Sequence, residues 1–180
     1  PKDEVKRELY ELGKKLFDEN GYVEIGMDHF ALKSDDMYAA MQNKTLHRNF
    51  MGYTTNNTQL MIGLGMSSIS DSWYSFAQNN KSVEEYQEIV NRGEFPIIKG
   101  HLLNEEDLYI RKHILSLMCQ FETSWEDETP IIFEALSRMD EMVADGLLEI
   151  GNKHIKVLEK GKPFVRNICM CFDARLNRAK

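Results

Sequence analysis

The sequence predicts a mixed α/β fold in which an α/β region is followed by a mainly helical, winged-helix-like module with a β-hairpin. Apolar residues recur at helical spacing at Val5, Leu9, Leu12 and Leu16, and a short strand pattern follows after a two-residue turn. Residues 147–157 alternate apolar and polar side chains around a Gly-Asn-Lys turn, which is typical of a β-hairpin. Amphipathic helix patterns lie on both sides of that hairpin.

The first region is predicted to alternate helices with short strands. A helix over residues 3–20 precedes a strand over residues 22–26, which is one half of a βαβ repeat and implies a parallel sheet. Ser34 is expected to cap a helix over residues 35–43. The other predicted elements are a strand over residues 59–63, an aromatic loop over 71–80, a helix over 82–91 and an extended connector over 95–100.

The second region is predicted to be mostly helical. Helices are expected over residues 104–121, 129–145 and 160–178, and the hairpin precedes the last of them. The main boundary falls near residues 99–103, which divides the chain into domains 1–100 and 101–180. The side chains expected to face inward are Leu108, Ile110, Ile114, Leu115, Leu117, Met118, Ile132, Leu136, Met139, Val143, Phe164, Ile168, Cys171, Phe172 and Leu176.

Composition and charge exclude several classes of protein. The formal net charge of −7 argues against a nucleic-acid binder, and no apolar run reaches the ~18 residues of a membrane helix. Three cysteines without a disulfide framework favour a reducing compartment, so we expect the cytoplasm. The first residue is proline and no signal peptide follows it, which suggests a processed chain or a piece of a longer one.

Two segments of the first region are candidate ligand sites. Asp28 and His29 follow a strand end, where α/β folds place ligands, although they could simply bond to neighbouring loops. Gly63 and Gly65 match two positions of a dinucleotide fingerprint, but the third position is serine and no long helix follows, so we reject that interpretation. The same glycines would still allow a backbone to approach a ligand closely.

The cysteines do not predict a metal site. Cys169 and Cys171 are two residues apart on a predicted helix and therefore point to different sides of it. Cys119 lies beside the apolar face of its own helix and is expected in the core. No two histidines have ligand spacing, so we expect no metal ligands in this chain.

Several motifs, in order along the chain, resemble the oxygen-independent coproporphyrinogen III oxidase family. The most specific is Asn-Phe-x-Gly-Tyr-Thr-Thr, which separates this family from a related haem-chaperone branch. The matching segments are residues 26–31, 46–55, 63–65, 67–70, Tyr74, 77–79 and 166–173.

The resemblance implies a radical S-adenosylmethionine enzyme that decarboxylates two propionates of coproporphyrinogen III to vinyl groups. It implies S-adenosyl-L-methionine and a 4Fe-4S cluster as cofactors, and an adenosyl radical that takes a hydrogen from the propionate β-carbon. The cluster-binding Cys-x-x-x-Cys-x-x-Cys loop is absent here. The chain therefore resembles the C-terminal part of a partial radical-SAM barrel plus the helical domain, and we expect it to be inactive without the missing N-terminal barrel portion.

The resemblance also suggests site residues. Phe50, Met51 and Ile69 match family positions that lie near a second S-adenosylmethionine, although better-known members carry glutamine where this chain has Met51. The helical module from about Leu102 onward would then cover the porphyrinogen cavity. We assign no catalytic residue, and we expect a monomer in the full-length form.

Two alternatives remain open. One is a haem-binding chaperone of the related family, which would bind haem without decarboxylation. The other is a non-catalytic winged-helix interaction module, which would bind DNA with a strong dependence on salt.

Overall fold

The computed structural model describes residues 3–178, and it describes side chains as far as residue 177. Helices and short strands are mixed along the whole chain. In order they are α1 (Asp3–Glu19), β1 (Tyr22–Gly26), β2 (His29–Leu32), α2 (Asp36–Gln42), β3 (His47–Asn49), β4 (Gly52–Thr54), β5 (Leu60–Met61), β6 (Ile69–Ser72), β7 (Ser75–Asn79), α3 (Val83–Asn91), β8 (Ile97–Leu102), α4 (Glu105–Gln120), β9 (Glu122–Ser124), α5 (Pro130–Leu136), α6 (Asp140–Ala144), β10 (Leu148–Gly151), β11 (His154–Val157), a 3-10 helix (Glu159–Phe164), α7 (Val165–Met170) and α8 (Ala174–Arg178).

The best-formed helix of the second region is α4, and its ends follow from its sequence. The Asn104 side chain accepts a hydrogen bond from the Asp107 backbone N–H at 2.8 Å, and the Asp107 carboxylate accepts one from the Asn104 N–H at 3.1 Å. This reciprocal capping box satisfies two backbone donors that the helix itself cannot. Phe121 ends the helix in the left-handed conformation at φ 58°. The predicted helix over residues 104–121 is therefore confirmed.

The sheets differ from the predicted pattern, because every strand pair among residues 3–178 is antiparallel. The predicted first strand, β1, pairs with β2 in a hairpin, so residues 29–32 form a strand and not a loop. The parallel neighbour that a βαβ repeat requires is not among the described residues, and the barrel assignment stays a prediction. The predicted aromatic loop at residues 71–80 is wrong, because β6 and β7 form a hairpin there.

A four-stranded sheet with the order β5-β6-β7-β8 links the two predicted regions. The expected extended connector is the strand β8, which runs across residue 100 and pairs with β7. The division into domains 1–100 and 101–180 therefore stays a prediction. The expected strand over residues 59–63 is shorter in the structure, where β5 comprises two residues.

Two long helices of the second region are interrupted. The predicted helix over residues 129–145 breaks between α5 and α6, where the Ser137 hydroxyl donates to the Glu134 carbonyl at 2.9 Å. Met139, next to the break, is fully buried in the core, as expected. Val143 is 40% exposed and is therefore not on the buried face. The predicted helix over residues 160–178 is also broken. Its first part is a 3-10 helix that contains a proline. A second break precedes α8, where the Asp173 carboxylate accepts a hydrogen bond from the Leu176 N–H.

Smaller predictions were also corrected by the structure. Asp35, and not Ser34, caps α2, because its carboxylate accepts a hydrogen bond from the Met37 N–H at 2.7 Å. Phe164 and Leu176 were expected to face inward but are exposed.

The buried residues form two clusters. The larger one joins α4 to α5, α7 and the three-stranded sheet β10-β11-β9, and it is centred on Leu117, Ile132, Ile155, Ile168 and Phe172. The smaller one lies beneath β1, β2 and α2 and includes Ile25, Leu46 and Tyr53. The apolar face of α1 belongs to neither cluster. Within residues 3–178, no helix combines the length and the apolar character needed to cross a membrane.

Candidate functional site

A cavity of about 890 Å³ lies between the first region and the helical module. Its walls come from β3, the β6–β7 hairpin, the end of β8 and the residue after it, α4 and the C-terminal helices. Four arginines line it, at positions 48, 111, 166 and 175. Aliphatic and aromatic side chains fill the spaces between them. A cavity of this size with apolar walls and separate charged groups fits an amphipathic organic ligand.

Arg111 on α4 is fixed by the β6–β7 hairpin. Its Nη2 donates to both carboxylate oxygens of Asp71, at 2.9 and 3.0 Å, and both side chains are largely buried. Its Nη1 donates to the backbone carbonyls of Ser72 and Trp73. The guanidinium carbon also lies 4.7 Å from the Trp73 ring centroid and 5.0 Å from that of Phe76. This ion pair therefore joins the sheet to α4 at the cavity wall.

A second group of polar side chains lies at the other end of the cavity. Arg175 donates to both carboxylate oxygens of Asp107, at distances of 3.1 to 3.2 Å, and His101 Nε2 lies 2.9 Å from Asp107 Oδ2. Burial raises the pKa of Asp107, but hydrogen bonds from the Asn104 backbone, His101 and Arg175 outweigh that effect and hold it below its usual value. Asp107 thus stays ionised and anchors Arg175.

Arg48 on β3 is a cation without an anionic partner among residues 3–178. Its Nη1 is buried and donates no hydrogen bond to any of the described residues. Its guanidinium carbon lies 4.7 Å from the Tyr53 ring centroid, on the neighbouring strand. The Tyr53 hydroxyl donates to the Met118 carbonyl at 2.8 Å, which fixes the ring beneath Arg48.

The predicted S-adenosylmethionine residues occupy different environments. Phe50 lines the cavity and packs edge-on against Phe76, with 5.1 Å between the ring centroids. Met51 is 85% exposed and is not among the residues that line the cavity. Ile69 opposes Gln78 in the β6–β7 hairpin and lies two residues from Asp71, so the two side chains share one face of the sheet.

The glycines at positions 63 and 65 serve contacts within the chain. A Cβ on Gly63 would lie 2.9 Å from the Ile69 backbone. The Asn79 side chain donates to the carbonyls of Gly63 and Gly65 at 3.1 and 3.0 Å, and the Gly65 N–H donates to the Tyr86 hydroxyl. Gly63 therefore allows a close approach to the start of β6, whereas Gly65 has a φ of 97° and only an ordinary contact with the Ser68 hydroxyl.

Asp28 and His29 belong to the packing of the motif segments. His29 Nδ1 lies 3.0 Å from the exposed Asp28 carboxylate, and its ring packs edge-on against Tyr53. Gly52 has a φ of 126°, and a Cβ there would lie 2.7 Å from His29 Nε2. Only glycine fits this position, which brings the first motif against the second.

The cysteines lie in the core. Cys119, Cys169 and Cys171 are free and buried. Burial raises the pKa of Cys119 to about 11 and that of Cys169 to about 12. Residues 3–178 contain no group of three histidine, cysteine or acidic side chains arranged to hold a metal ion.

Sequence reasoning did not find the arginines or their carboxylate partners. Asp71 and Arg111 are 40 positions apart, so no local pattern joins them. A usable signal was an acidic residue two positions before a tryptophan and five before a phenylalanine. The arginine of the Asn-Phe-x-Gly-Tyr motif, which directly precedes its asparagine, was a second one.

Proteins named oxygen-independent coproporphyrinogen III oxidase match nearly the whole chain. The protein of Escherichia coli K12 is 34% identical over 99% of this chain. The proteins of Pseudomonas aeruginosa and Synechocystis are each 38% identical, over 87% and 90% of it. The chain covers 41%, 36% and 38% of these three relatives, so it spans about two fifths of their length. A comparison with protein-family models gave no match.

A solved structure agrees with the sequence relatives. Coproporphyrinogen III oxidase (HemN) from Escherichia coli, described as a radical SAM enzyme, superposes with a TM-score of 0.88 at 34% identity. The match covers 97% of this chain and 42% of that one. Over nearly its whole length the chain is therefore similar to about two fifths of proteins named oxygen-independent coproporphyrinogen III oxidase.

Proposed function

We propose that the complete protein containing this chain is an oxygen-independent coproporphyrinogen III oxidase. It converts two propionate side chains of coproporphyrinogen III to vinyl groups and yields protoporphyrinogen IX for haem biosynthesis. The observation that carries the proposal is the match of 34–38% identity to proteins of that name over 87–99% of this chain. The size and the apolar walls of the arginine-lined cavity support it.

The 4Fe-4S cluster of such an enzyme does not fit the residues of this chain. Cluster binding needs several thiolates close together, whereas burial keeps the thiols of Cys119 and Cys169 protonated. The ligands therefore come from the part of the complete protein outside this chain, and the chain alone is inactive. Anaerobic reconstitution of the chain with iron and sulfide should give no stoichiometric cluster spectrum, and such a spectrum would contradict this point.

Unlike the 4Fe-4S cluster, the second S-adenosylmethionine fits residues of this chain, at the wall of the cavity. Phe50 offers an aromatic surface inside the cavity, and Ile69 lies on the same face of the sheet as the cavity residue Asp71. Met51 has no amide, so it contributes no side-chain hydrogen bond where other members carry glutamine. When bound, S-adenosylmethionine supplies the radical chemistry. The residues of this chain bind the ligand, orient it and exclude water.

The apolar face of α1 supports a contact with the missing N-terminal barrel portion. Val5, Leu9, Leu12 and Leu16 remain 43–57% exposed. An apolar stripe of this length on an amphipathic helix is normally covered. The complete protein supplies a surface for it, since this chain spans about two fifths of its relatives. We place the complete protein in the cytoplasm as a monomer, and the free thiols are consistent with that compartment.

The test uses the complete protein, reconstituted anaerobically with iron and sulfide. With S-adenosylmethionine, a reductant and coproporphyrinogen III, it should release carbon dioxide and protoporphyrinogen. A reconstituted protein that binds haem tightly without releasing product would instead support the chaperone alternative. In a second test, removal of the module after about residue 101 should raise the KM for the porphyrinogen, and an unchanged KM would contradict its role as a cover.

A further inference from the structure

Arg48 carries a charge that the described residues leave unbalanced. The Arg48 side chain is half-buried and lines the cavity. Its Nη1 is fully buried and has no hydrogen-bond partner among residues 3–178. A buried N–H group without a hydrogen-bond partner is costly, and such groups normally find a partner in a protein, water or ligand atom.

The surroundings of Arg48 are neutral. The Tyr53 ring lies beneath the guanidinium, and a cation–π contact offsets part of the cost but satisfies no N–H group. Burial raises the pKa values of Tyr53, Cys119 and Cys169, and the Arg48 charge opposes that rise only in part. These groups therefore remain protonated and supply no negative charge to Arg48.

The carboxylates of the cavity do not pair with Arg48. Asp71 binds Arg111 through both oxygens, and Asp107 binds Arg175 and His101. Asp173 accepts a hydrogen bond from the backbone of α8. None of these three cavity carboxylates forms an ion pair with Arg48.

We infer that Arg48 is a binding residue for a ligand carboxylate in this cavity. The planar guanidinium matches a carboxylate through two parallel hydrogen bonds, and the buried Nη1 is free to donate one of them. Phe50, Ile110, Ile114 and Met118 line the rest of the space, so the ligand combines carboxylates with a large apolar body.

The inference rests on the proposed function for the source of the carboxylate. Two molecules of the proposed reaction carry one. The first is coproporphyrinogen III, through a propionate, and the second is S-adenosylmethionine, through its methionyl end. Both would place the carboxylate at Arg48 and the remainder of the molecule against the apolar wall.

The experiment compares the reconstituted complete protein with its Arg48→Met variant. Methionine has a similar length but no charge. The probes are coproporphyrin III, its tetramethyl ester and S-adenosylmethionine, each titrated at constant ionic strength. The matched control is Arg92→Met, which removes an exposed arginine paired with Glu94 outside the cavity.

The Arg48→Met variant should lose affinity for a carboxylate ligand by roughly 10- to 100-fold, since a charge-assisted hydrogen bond is lost. The tetramethyl ester, which has no carboxylate, should bind the wild type and the variant equally. A loss confined to coproporphyrin III assigns the propionate, and a loss confined to S-adenosylmethionine assigns its methionyl carboxylate. The control variant should bind all three probes like the wild type.

The inference is overturned if the wild type and Arg48→Met bind both carboxylate probes with equal affinity. It is also overturned if neither carboxylate probe binds to either protein. The proposed function is tested separately by product formation in the wild type, so the two failures are distinguishable. A folding defect is not expected, because Arg48 has no ion pair to lose within residues 3–178. If Arg48→Met fails to fold, Arg48→Lys replaces it. Lysine keeps the positive charge but cannot donate two parallel hydrogen bonds, so this variant should lose less affinity for the carboxylate probes.

Discussion

Breaking the ion pair between Asp71 and Arg111 should destabilise the chain strongly. The perturbation is Asp71→Asn, which keeps the shape of the side chain and removes its charge. The two side chains are 9% and 13% exposed, and Arg111 is also fixed by two carbonyls and two aromatic rings. The guanidinium therefore cannot swing into water when its partner is lost. Removal of one partner of a buried pair costs about 3–5 kcal/mol.

The asparagine oxygen can still accept one hydrogen bond, so we expect a value near the lower end, about 3 kcal/mol. That loss corresponds to a decrease in Tm of roughly 6–12 °C for a chain of this length. Urea unfolding followed by circular dichroism measures it directly. The control is Glu94→Gln. The side chains of Glu94 and its partner Arg92 are both more than half exposed, so their ion pair should contribute less than about 1 kcal/mol to the free energy of unfolding. A cost for Asp71→Asn as small as that of the control would refute the reasoning.

Three further predictions concern stability and reactivity. Burial lowers the pKa of His113 to about 4, whereas an unfolded chain has a histidine pKa of about 6.5. The free energy of unfolding should therefore be highest above about pH 6.5 and should fall by about 3 kcal/mol as the pH approaches 4, measured by urea unfolding. A His113→Gln variant that lost the same stability over this pH range would contradict the assignment to His113. A Cβ on Gly161 would lie 1.9 Å from the Leu147 carbonyl oxygen, so Gly161→Ala should lower the free energy of unfolding by roughly 2 kcal/mol or more. The control is Gly13→Ala, which should be neutral or stabilising because nothing lies within 4 Å of its Cβ position. Equal effects of the two substitutions would exclude the steric explanation. Cys169 is buried with a pKa raised to about 12, so iodoacetamide should label it only after unfolding, and labelling of the native chain at pH 8 would show that it is accessible.

The elements that the sequence predicted well are those with complete local signals. Helix α4 has an apolar face, an asparagine cap and an acidic first turn, and its bounds were found within one residue at each end. The hairpin of β10 and β11 has clear alternation around a short turn. In both cases the residues that decide the structure are neighbours in the chain.

The elements that were missed depend on contacts that are distant in sequence. The β6–β7 hairpin has Trp73 and Tyr74 at its turn in place of a glycine pair, and its stability comes partly from Arg111 on a remote helix. The break after α5 is similar, because the Arg138 side chain donates to the Cys171 carbonyl, 33 positions away. Local propensity contains no information on such pairs.

The candidate site was predicted only through the motif that contains Phe50. The glycines at 63 and 65 were expected to let a backbone approach a ligand, and the sequence could not reveal that Gly63 packs closely against the start of β6. The arginines of the cavity come from three separated segments, and their convergence depends on the packing of α4 and α7 against the sheets. A single sequence does not encode that convergence in any local pattern.

The most direct test of the central claim is turnover by the complete protein that contains this chain. It is reconstituted anaerobically and supplied with S-adenosylmethionine, a reductant and coproporphyrinogen III, and the products are measured by chromatography and carbon dioxide release. The account predicts protoporphyrinogen and two molecules of carbon dioxide for each porphyrinogen consumed. A protein that assembles its cluster and yet releases neither product would contradict it.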